Sequence, residues 1–374
     1  MPFDCVDEQV STPTHDLEYP RAVDVDGDGH LDIVGSNAGD LVLWWGDGTG
    51  DFTADVYALS AFDRSAKVFV GELDGVQGLD VVLFQFDEWG TGARLVTVAT
   101  QVEARVFGPP ETLELLEFWD DGASPLALLD VDGDGRDDLA IVDDEYQNTV
   151  GNLSVLMNDG TGRFGSPIRS SLDSTCATQA MRTVNFDGGP EEVLVTEPSA
   201  CFADGLARAR VVAFEPNGAV ASVAEIPGRP FDLGPATGDL DADGFVDIVV
   251  QAGEASQVLL GLGDGSFTPG PTFPGLRVGF IGQIDGLAGE DMSGSLLTDD
   301  DAYSPVVLFD PLGAAQLVPT PPLPDPFVFS SASGDFDEDG CLDKLFYYPT
   351  DANPDGWLLR RCFATCGATE AIAP

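Results

Sequence analysis

One nine-residue pattern, DxDxDGxxD, constrains the fold of this chain more than any other feature of its sequence. It occurs four times, and an apolar, β-type stretch such as IVG or LAIV follows the copies directly. The four copies begin at Asp24, Asp130, Asp239 and Asp335. Worn copies lie between them at 71–82, 184–195 and 282–292. Successive copies are 48, 58, 55, 54, 44 and 52 residues apart, so seven units of about fifty residues account for the chain.

The order of features within each unit predicts four strands. The acidic loop joins two β-type segments, a third apolar run such as LVLWW follows, and a turn such as GDGTGDF or NDGTGRF precedes a fourth strand. The 44 Gly and 26 Pro are spread along the chain at turn-like intervals, as many short strands and tight turns require. Four strands in each of seven units predict an all-β chain, folded as a seven-bladed β-propeller of four-stranded blades. A fibre-like solenoid is the alternative.

The two ends of the chain favour a closed ring. The last unit stops after its third predicted strand, and residues 3–10 have the spacing of the outer strand that runs from Phe52 to Leu59. We therefore expect residues 3–10 to complete the last blade, which makes residues 1–374 a single propeller domain. Its repeats lie near 11–60, 61–117, 118–173, 174–226, 227–273, 274–320 and 321–374.

The six cysteines indicate disulfides rather than a metal site. Their number is even, and none belongs to a CxxC pair with a histidine nearby, which argues against zinc and thioredoxin-like chemistry. Disulfides form in oxidising compartments, so we expect a secreted or cell-surface location. One pairing would cross the closing blade, where Cys5 lies beside the strand that carries Cys362. A second would join Cys176 to Cys201, and the remaining pair would tie Cys341, although other connectivities stay open.

The charge of the chain limits its classes of partner. There are 65 acidic and 16 basic side chains, which give a formal net charge of −49. Such a chain repels nucleic acids and anionic membrane surfaces and attracts cations. Because 43% of the residues are hydrophobic, we expect a folded core rather than disorder. No apolar run approaches the ~20 residues of a membrane-spanning helix, and the N-terminal residues lack the pattern of a signal peptide, so we expect no membrane insertion.

The spacing of the carboxylates in the acidic loops is that of a calcium site. Calcium takes about six to eight oxygen ligands, which Asp at positions one, three and five, a carbonyl at position seven and a later carboxylate can supply. The Gly at position six allows the sharp turn around the ion. Magnesium prefers a smaller and stricter octahedron. An EF-hand needs Glu at position twelve, where this chain has Gly35, Ile141, Val250 and Phe346, so the Asp at position nine must close the site.

These loops, together with the NDGTGRF turn, resemble the FG-GAP and VCBS repeat family, whose calcium-binding blades also form the propeller of integrin alpha subunits. The resemblance covers essentially the whole chain, and it implies that each acidic loop joins the first and second strands of a blade at the lower face. The side-chain ligands that it implies are Asp24, Asp26, Asp28, Asp32, Asp130, Asp132, Asp134, Asp138, Asp239, Asp241, Asp243, Asp247, Asp335, Asp337, Asp339 and Asp343. The residues at position seven, which would contribute only carbonyl oxygens, are His30, Arg136, Phe245 and Cys341.

Alternate units depart from the family pattern. The second unit has Val76 and Gly78 where ligands belong, and the sixth has Leu287 and Gly289. The fourth unit is one residue short. We therefore expect four calcium ions, in blades one, three, five and seven, and no tight metal site in the other three blades.

Catalysis has little support in the sequence. His30 lies inside a predicted calcium loop, His15 lies in a polar stretch, and no nucleophile elbow, phosphate-binding Gly loop or HExxH motif occurs. We expect a non-catalytic adhesion or ligand-recognition propeller, a monomer that binds protein or glycan through the loops opposite the calcium loops. Trp89 and Tyr146 are the candidate contacts on those loops. The alternatives are a polysaccharide-acting lyase or hydrolase and a purely structural surface module.

Overall fold

All regular elements in the described part of this computed structural model are β-strands. No helix able to span a bilayer occurs among those residues. The structure describes residues 4–9, 17–37, 39–59, 66–86, 94–115, 126–144, 151–174, 180–197, 208–226, 236–252, 254–282, 289–297, 303–309, 311–312, 316–319, 331–338, 343–347 and 357–363.

Thirty strands are described. In chain order they are β1 (Asp4–Gln9), β2 (Glu18–Val23), β3 (Asp32–Asn37), β4 (Asp40–Gly46), β5 (Phe52–Tyr57), β6 (Ala66–Gly71), β7 (Asp80–Phe86), β8 (Arg94–Ala99), β9 (Gln101–Glu103), β10 (Val106–Phe107), β11 (Glu111–Leu115), β12 (Leu126–Leu129), β13 (Asp138–Asp144), β14 (Gly151–Leu156), β15 (Ile168–Ser174), β16 (Ala180–Val184), β17 (Glu192–Glu197), β18 (Arg208–Phe214), β19 (Val220–Ile226), β20 (Ala236–Gly238), β21 (Asp247–Ala252), β22 (Ala255–Gly261), β23 (Phe267–Pro274), β24 (Leu276–Gly282), β25 (Asp291–Leu297), β26 (Tyr303–Phe309), β27 (Gln316–Pro319), β28 (Ser331–Gly334), β29 (Asp343–Tyr347) and β30 (Trp357–Phe363).

These strands form seven four-stranded antiparallel sheets and one hairpin. Sheet 1 is β2 to β5, sheet 2 is β6, β7, β8 and β11, sheet 3 is β12 to β15, sheet 4 is β16 to β19, sheet 5 is β20 to β23, sheet 6 is β24 to β27, and sheet 7 is β28, β29, β30 and β1. The hairpin of β9 and β10 is inserted between the last two strands of sheet 2. Each predicted repeat therefore corresponds to one sheet.

The N-terminal strand pairs where the sequence predicts. β1 runs antiparallel to β30 at the edge of sheet 7, and the register places Cys5 directly opposite Cys362. The side chains of these two residues, and Cys176, Cys201 and Cys341, lie outside the described part of the structure. The disulfides therefore stay a prediction.

The hydrophobic core lies between the sheets. Six clusters of buried apolar side chains join consecutive sheets, from sheet 7 with sheet 1 through to sheet 5 with sheet 6. The sequence of β4 shows why the core lies between sheets. Its LVLWW run is buried at every position, because neighbouring sheets pack against both faces of this strand. Trp44 packs towards Leu345 of sheet 7, whereas the adjacent Trp45 packs towards Val68 of sheet 2. Because successive side chains of a strand point to opposite faces, this one strand packs against the sheets on both sides.

The first strand of each sheet lies at one edge of that sheet, and these strands form a row. β28 contacts β2, β2 contacts β6, β6 contacts β12, β12 contacts β16, and β20 contacts β24. We call β2, β6, β12, β16, β20, β24 and β28 the first-strand row. At the opposite edge, β5, β19 and β23 are largely exposed. The sheets therefore share one protected edge and present the other to solvent.

The acidic loops lie at one end of this arrangement. Each connects the first strand of its sheet to the second, and antiparallel pairing brings the turn between the third and fourth strands to the same end. We call them loop 1 (24–32), loop 2 (72–80), loop 3 (130–138), loop 4 (185–192), loop 5 (239–247), loop 6 (283–291) and loop 7 (335–343).

Candidate metal-binding loops

Loops 1, 3 and 5 fold around the carboxylate at their first position. In loop 1, the N–H groups of Gly27 and Gly29 donate to Asp24 Oδ1 and Oδ2, both at 2.9 Å. The equivalent N–H groups of loop 3 donate to Asp130 at 2.8 Å. In loop 5 the N–H at position six donates to Asp239 at 3.0 Å. The first aspartate therefore holds the loop in one conformation through local side-chain-to-backbone bonds.

Position four of these loops has a left-handed backbone. The φ angle is 74° at Gly27 and 79° at Gly133, and glycine adopts such values without strain. Loops 5 and 7 have Ala242 and Glu338 at this position, with φ angles of 58° and 57°. A residue with a Cβ atom loses about 1–2 kcal/mol in this region. Position four of both loops thus keeps the left-handed backbone against the local preference of its own residue.

The carboxylates of the four intact loops converge. In each loop, three side chains offer oxygens that lie within 4.8 Å of one another. The groups are Asp24, Asp26 and Asp32; Asp130, Asp132 and Asp134; Asp239, Asp241 and Asp247; and Asp335, Asp337 and Asp343. Two negative charges at this separation repel by about 3 kcal/mol at an effective dielectric constant of about 20. An all-oxygen donor set of this charge fits a hard divalent cation, and calcium in particular. Asp339 and Cys341 of loop 7 lie outside the described residues.

The aspartate at position nine has a second task that the sequence did not indicate. In loop 1, Asp32 Oδ2 accepts the N–H of Val25 at 2.8 Å and Asp32 Oδ1 accepts that of Gly46 at 2.9 Å. It thereby ties the start of the loop to the end of the third strand. Loops 2, 3 and 5 repeat both bonds with Asp80, Asp138 and Asp247.

Burial raises the pKa of these closing carboxyl groups, because desolvation disfavours their charged form. The pKa of each is raised to about 6, although the backbone donors oppose the shift, in Asp32, Asp80, Asp138 and Asp247. The other carboxylates of each loop add to the shift through their negative charge. A cation in the loop would reverse this electrostatic balance.

The side chains at position seven point to different neighbours. The imidazole Nδ1 of His30 pairs with the carboxylate of Glu338 in loop 7, and this hydrogen bond raises the pKa of His30. Arg136 NH1 lies 3.8 Å from Asp134 Oδ2 in its own loop. Phe245 is 37% exposed. None of these side chains is needed as a ligand if position seven contributes its carbonyl oxygen.

Arg105 makes contacts with an acidic loop that the sequence did not indicate. It lies in the turn of the β9–β10 hairpin of sheet 2, and its guanidinium reaches loop 1 of the neighbouring sheet. Arg105 Nε donates to Asp26 Oδ2, and Arg105 NH2 donates to Asp28 Oδ2 at 2.9 Å. Its Cζ lies 5.0 Å from the ring centroid of Trp45. One predicted calcium loop thus already has a protein cation on two of its carboxylates.

Hydrogen bonds also hold the backbone of the β9–β10 hairpin in place. Tyr57 Oη donates to the carbonyl of Arg105 at 2.7 Å, and the N–H of Arg105 donates to Gln101 Oε1 at 2.7 Å. Gln101 is fully buried, and its Nε2 donates to the carbonyl of Val25 in loop 1 at 3.0 Å. These hydrogen bonds therefore fix the position of the Arg105 guanidinium at loop 1.

Loop 2 gathers carboxylates that its sequence-based interpretation did not include. We predicted no tight metal site there, and this stays a prediction, while Glu72, Asp74 and Asp80 place carboxylate oxygens within 4.8 Å of one another. Glu at position one replaces the usual Asp, and Val76 at position five is 42% exposed and offers no oxygen from its side chain. Glu72 is the residue that could have indicated this group. Loop 2 therefore keeps three of the acidic positions of an intact loop.

Loop 4 keeps the turn with a different residue. Asn185 Oδ1 accepts the N–H of Gly188 at 2.8 Å, and Glu192 Oε2 accepts the N–H of Phe186 at 3.2 Å. The scaffold of the loop thus persists where the first aspartate is replaced. Leu287 of loop 6 lies outside the described residues.

Acidic residues that precede the closing carboxylate link neighbouring loops. Asp137 Oδ2 accepts the N–H of Glu72 at 3.0 Å, Glu191 Oε2 accepts that of Asp130 at 3.0 Å, and Glu290 Oε2 accepts that of Asp239 at 2.7 Å. Burial raises the pKa of Asp137 to about 7, with the charges of Glu191 and Asp130 adding to the shift. Between loops 3 and 4 this arrangement lines an acidic cleft of about 500 Å³. These bonds connect sheets through their loops as well as their cores.

The candidate ligand contacts at the opposite end are not described. Trp89 and Tyr146 both lie outside the described residues. Their role therefore stays a prediction from the sequence.

Comparison with known proteins supports the repeat and the fold. The sequence profile of the FG-GAP-like repeat matches residues 24–83, which span loops 1 and 2 and the strands between them. Within these residues, the FG-GAP-like repeat predicted from the sequence is confirmed. No curated protein sequence matches the chain.

Three solved structures share the fold at low sequence identity. A lectin from Agrocybe aegerita, solved to explain specific recognition of non-reducing terminal N-acetylglucosamine, is 14% identical, with a TM-score of 0.56 over 94% of this chain and 91% of that chain. BBS1N, solved in complex with ARL6DN, is 11% identical, with a TM-score of 0.53 over 97% of both chains. The Dos1 propeller is 10% identical, with a TM-score of 0.50 over 94% of this chain and 81% of that chain. The chain therefore has a fold of the β-propeller class.

Proposed function

We propose that this protein is a calcium-binding, non-catalytic recognition propeller with seven blades. In this proposal residues 1–374 form one domain, and sheets 6 and 7 meet to close the ring that β1 completes. Four calcium ions lie in loops 1, 3, 5 and 7. The observation that carries the proposal is the convergence of three carboxylates in each of these four loops.

Calcium would be held by the aspartates at positions one, three, five and nine, with a backbone carbonyl at position seven. Bound there, it supplies positive charge that removes the repulsion among the carboxylates. The chain itself does the rest. Its backbone N–H groups orient the first aspartate, and the closing aspartate joins the loop to the third strand. An occupied loop therefore stiffens the end of its blade.

Calcium binding is tested by melting the full chain with calcium and with a chelator. We expect chelation to lower the melting temperature, since an ion that binds only the folded chain stabilises it by mass action. Asp132→Ala removes an exposed ligand of loop 3 together with its one described hydrogen bond, which it accepts from the N–H of Asp134 at 3.2 Å. It should reduce the effect of calcium and change the melt in chelator little. An identical melt in both conditions would remove the calcium proposal.

The ligand that we propose is a glycan, bound through the loops opposite the acidic loops. The likeness to a lectin over nearly the whole chain supports this class of ligand. The complex of BBS1N with ARL6DN favours a protein as the second candidate. We place the protein outside the cell or at its surface, where calcium is abundant and disulfides persist.

A glycan array with the full chain in calcium tests recognition. We expect binding that Trp89→Ala and Tyr146→Ala reduce, whereas Val223→Ala, an exposed position on an outer strand, leaves it unchanged. The bound glycan is then incubated with the protein and its length is measured. Shortening of the glycan would favour the alternative of a polysaccharide-acting enzyme.

A further inference from the structure

In two of the predicted calcium loops, a carboxylate from the following loop holds the backbone of the first aspartate. In loop 3, the N–H of Asp130 donates to Glu191 Oε2 of loop 4 at 3.0 Å. In loop 5, the N–H of Asp239 donates to Glu290 Oε2 of loop 6 at 2.7 Å, and the N–H of Glu290 donates to the carbonyl of Asp239 at 2.8 Å. Loops 4 and 6 are loops in which we expect no tight metal site. Each therefore supports a predicted calcium loop of the neighbouring sheet.

The aspartate held in this way is the one that organises its own loop. Asp130 Oδ1 and Oδ2 accept the N–H groups of Gly133 and Gly135, and Asp239 Oδ2 accepts that of Gly244. The same side chains belong to the converging carboxylate groups of their loops. A hydrogen bond to the backbone N–H fixes the residue from outside, which leaves its carboxylate fewer orientations. Such a partner lowers the cost of gathering the ligands around an ion.

A glycine makes room for the incoming carboxylate in two places. Gly238 precedes Asp239, and a Cβ atom on Gly238 would overlap Glu290 Oε2. A Cβ atom on Gly71, which precedes loop 2, would likewise overlap the Asp137 carboxylate. The close approach of a carboxylate to position one therefore depends on the residue before that position as well as on the acid itself.

The other two predicted calcium loops meet a leucine where loops 3 and 5 meet an acid. The residue before the closing aspartate is Leu31 in loop 1, which lies beside loop 7, and Leu79 in loop 2, which lies beside loop 1. Gly334 precedes loop 7 as Gly238 precedes loop 5, and a Cβ atom on Gly334 would lie 2.6 Å from Leu31 Cδ1. A methyl group thus lies beside loop 7 in the place that a carboxylate takes beside loop 5.

We propose that Glu191 and Glu290 are positioning residues for calcium, and that they divide the four predicted sites into a tight pair in loops 3 and 5 and a weak pair in loops 1 and 7. This inference rests on the proposed function, because it concerns how tightly the loops hold calcium. Each glutamate acts through a backbone N–H of the first ligand and contacts no ion itself. Removal of such a partner typically weakens metal binding by about 10–100-fold. Loops 4 and 6 therefore serve the calcium loop that precedes them.

Native mass spectrometry of the full chain over a series of buffered calcium concentrations tests this division. We expect two ions to bind first, and two more at concentrations about tenfold higher or above. Glu191→Ala and Glu290→Ala should each move one ion from the tight pair to the weak group, while saturating calcium still gives four. Glu225→Ala is the control, since its carboxylate pairs with Arg208 at 3.6 Å at the other end of sheet 4. It should leave both pairs unchanged.

Glutamine variants separate positioning from charge. Glu191→Gln and Glu290→Gln keep an oxygen that accepts the backbone N–H and remove the negative charge, so each should keep its ion in the tight pair. A structural role alone would lower the melting temperature of the alanine variants in chelator and leave every calcium affinity unchanged. Equal weakening of calcium binding by the alanine and glutamine variants would point to charge rather than position. Either result would overturn the proposal.

Leu31→Glu tests the proposal by adding the partner, and it decides the question if the alanine variants do not fold. It places a carboxylate beside loop 7, where Gly334 leaves the same room as Gly238, and should bring a third ion into the tight group. Four ions of one affinity, or no gain from Leu31→Glu, would overturn the proposal while calcium binding itself stands. No bound calcium at any concentration would instead remove the proposed function, and this inference with it.

Discussion

Arg105 provides the sharpest test of how loop 1 is built. Its guanidinium takes the outer oxygens of Asp26 and Asp28, which the sequence assigns to calcium. If loop 1 binds calcium as proposed, Arg105 competes with the ion for these carboxylates. Arg105→Gln removes the charge and keeps a side chain of similar reach. The backbone at this position is left-handed, with a φ angle of 62°. Because glutamine has a Cβ atom as arginine does, the substitution leaves the backbone strain unchanged.

Arg105→Gln should have two effects of opposite sign, a loss of stability in chelator and a gain in calcium affinity that offsets part of this loss in calcium. A hydrogen bond to a charged group contributes about 1.5–3 kcal/mol, and an exposed cation–π contact about 0.5–1 kcal/mol. The side chain of Arg105 is 37% exposed, so solvent screening reduces these values. We expect Arg105→Gln to lower the free energy of unfolding by about 1–3 kcal/mol in chelator. Freed carboxylates should bind calcium about tenfold more tightly, which corresponds to about 1.4 kcal/mol.

Thermal melts in chelator and in calcium measure the first effect, and calcium calorimetry measures the second. Arg163→Gln is the matched control, since it also breaks an arginine–carboxylate pair between neighbouring sheets but touches no acidic loop. It should alter neither the difference between the two melts nor the calcium affinity. Equal loss of stability by Arg105→Gln in both conditions, with unchanged calcium affinity, would refute competition and leave Arg105 a structural residue only.

Three further predictions follow from the loops. Asp138→Asn should destabilise the protein by about 1–3 kcal/mol in chelator as well as in calcium. The reason is that an amide NH2 replaces one of the two carboxylate oxygens, which accept the backbone N–H groups of Val131 and Asn158. Urea unfolding in both conditions measures this loss. Ala242→Gly should raise the melting temperature, since φ is 58° there, and a lower value would show that the loop does not hold this conformation. In chelator, lowering the pH from about 7.5 to 5.5 should raise the melting temperature. The closing carboxyl groups have a folded pKa of about 6, above the unfolded value of about 3.9, so the folded state binds more protons in this range. In calcium, the same decrease in pH should lower the melting temperature, because protons then displace the ion.

The repeat made most of this fold predictable. A pattern of nine residues recurs in register with strands and turns, and every part of it is local, so the seven units and the positions of their acidic loops follow from the sequence. The pairing of β1 with β30 was predictable for a related reason, because the last unit lacked a strand that residues 3–10 resemble.

Contacts between units were not predictable in this way. Arg105 meets Asp26 from 79 positions away, on a hairpin that, among the described strands, sheet 2 alone carries. Asp137, Glu191 and Glu290 look like surplus acidity in the sequence, yet each accepts a backbone N–H from the preceding loop. The sequence indicates the closing aspartates only as metal ligands, whereas in the structure both of their carboxylate oxygens accept backbone hydrogen bonds. A motif describes one loop, whereas these roles depend on which loop lies beside it.

Native mass spectrometry of the full chain, after exchange into dilute calcium, tests the central claim most directly. We predict four bound calcium ions, and three for Asp132→Ala, which should lose the ion of loop 3. A control with Arg163→Gln should keep four. No bound ion, or four ions retained by Asp132→Ala, would contradict the assignment of the acidic loops as calcium sites, and a fifth ion would contradict the expectation that loops 2, 4 and 6 bind no metal tightly.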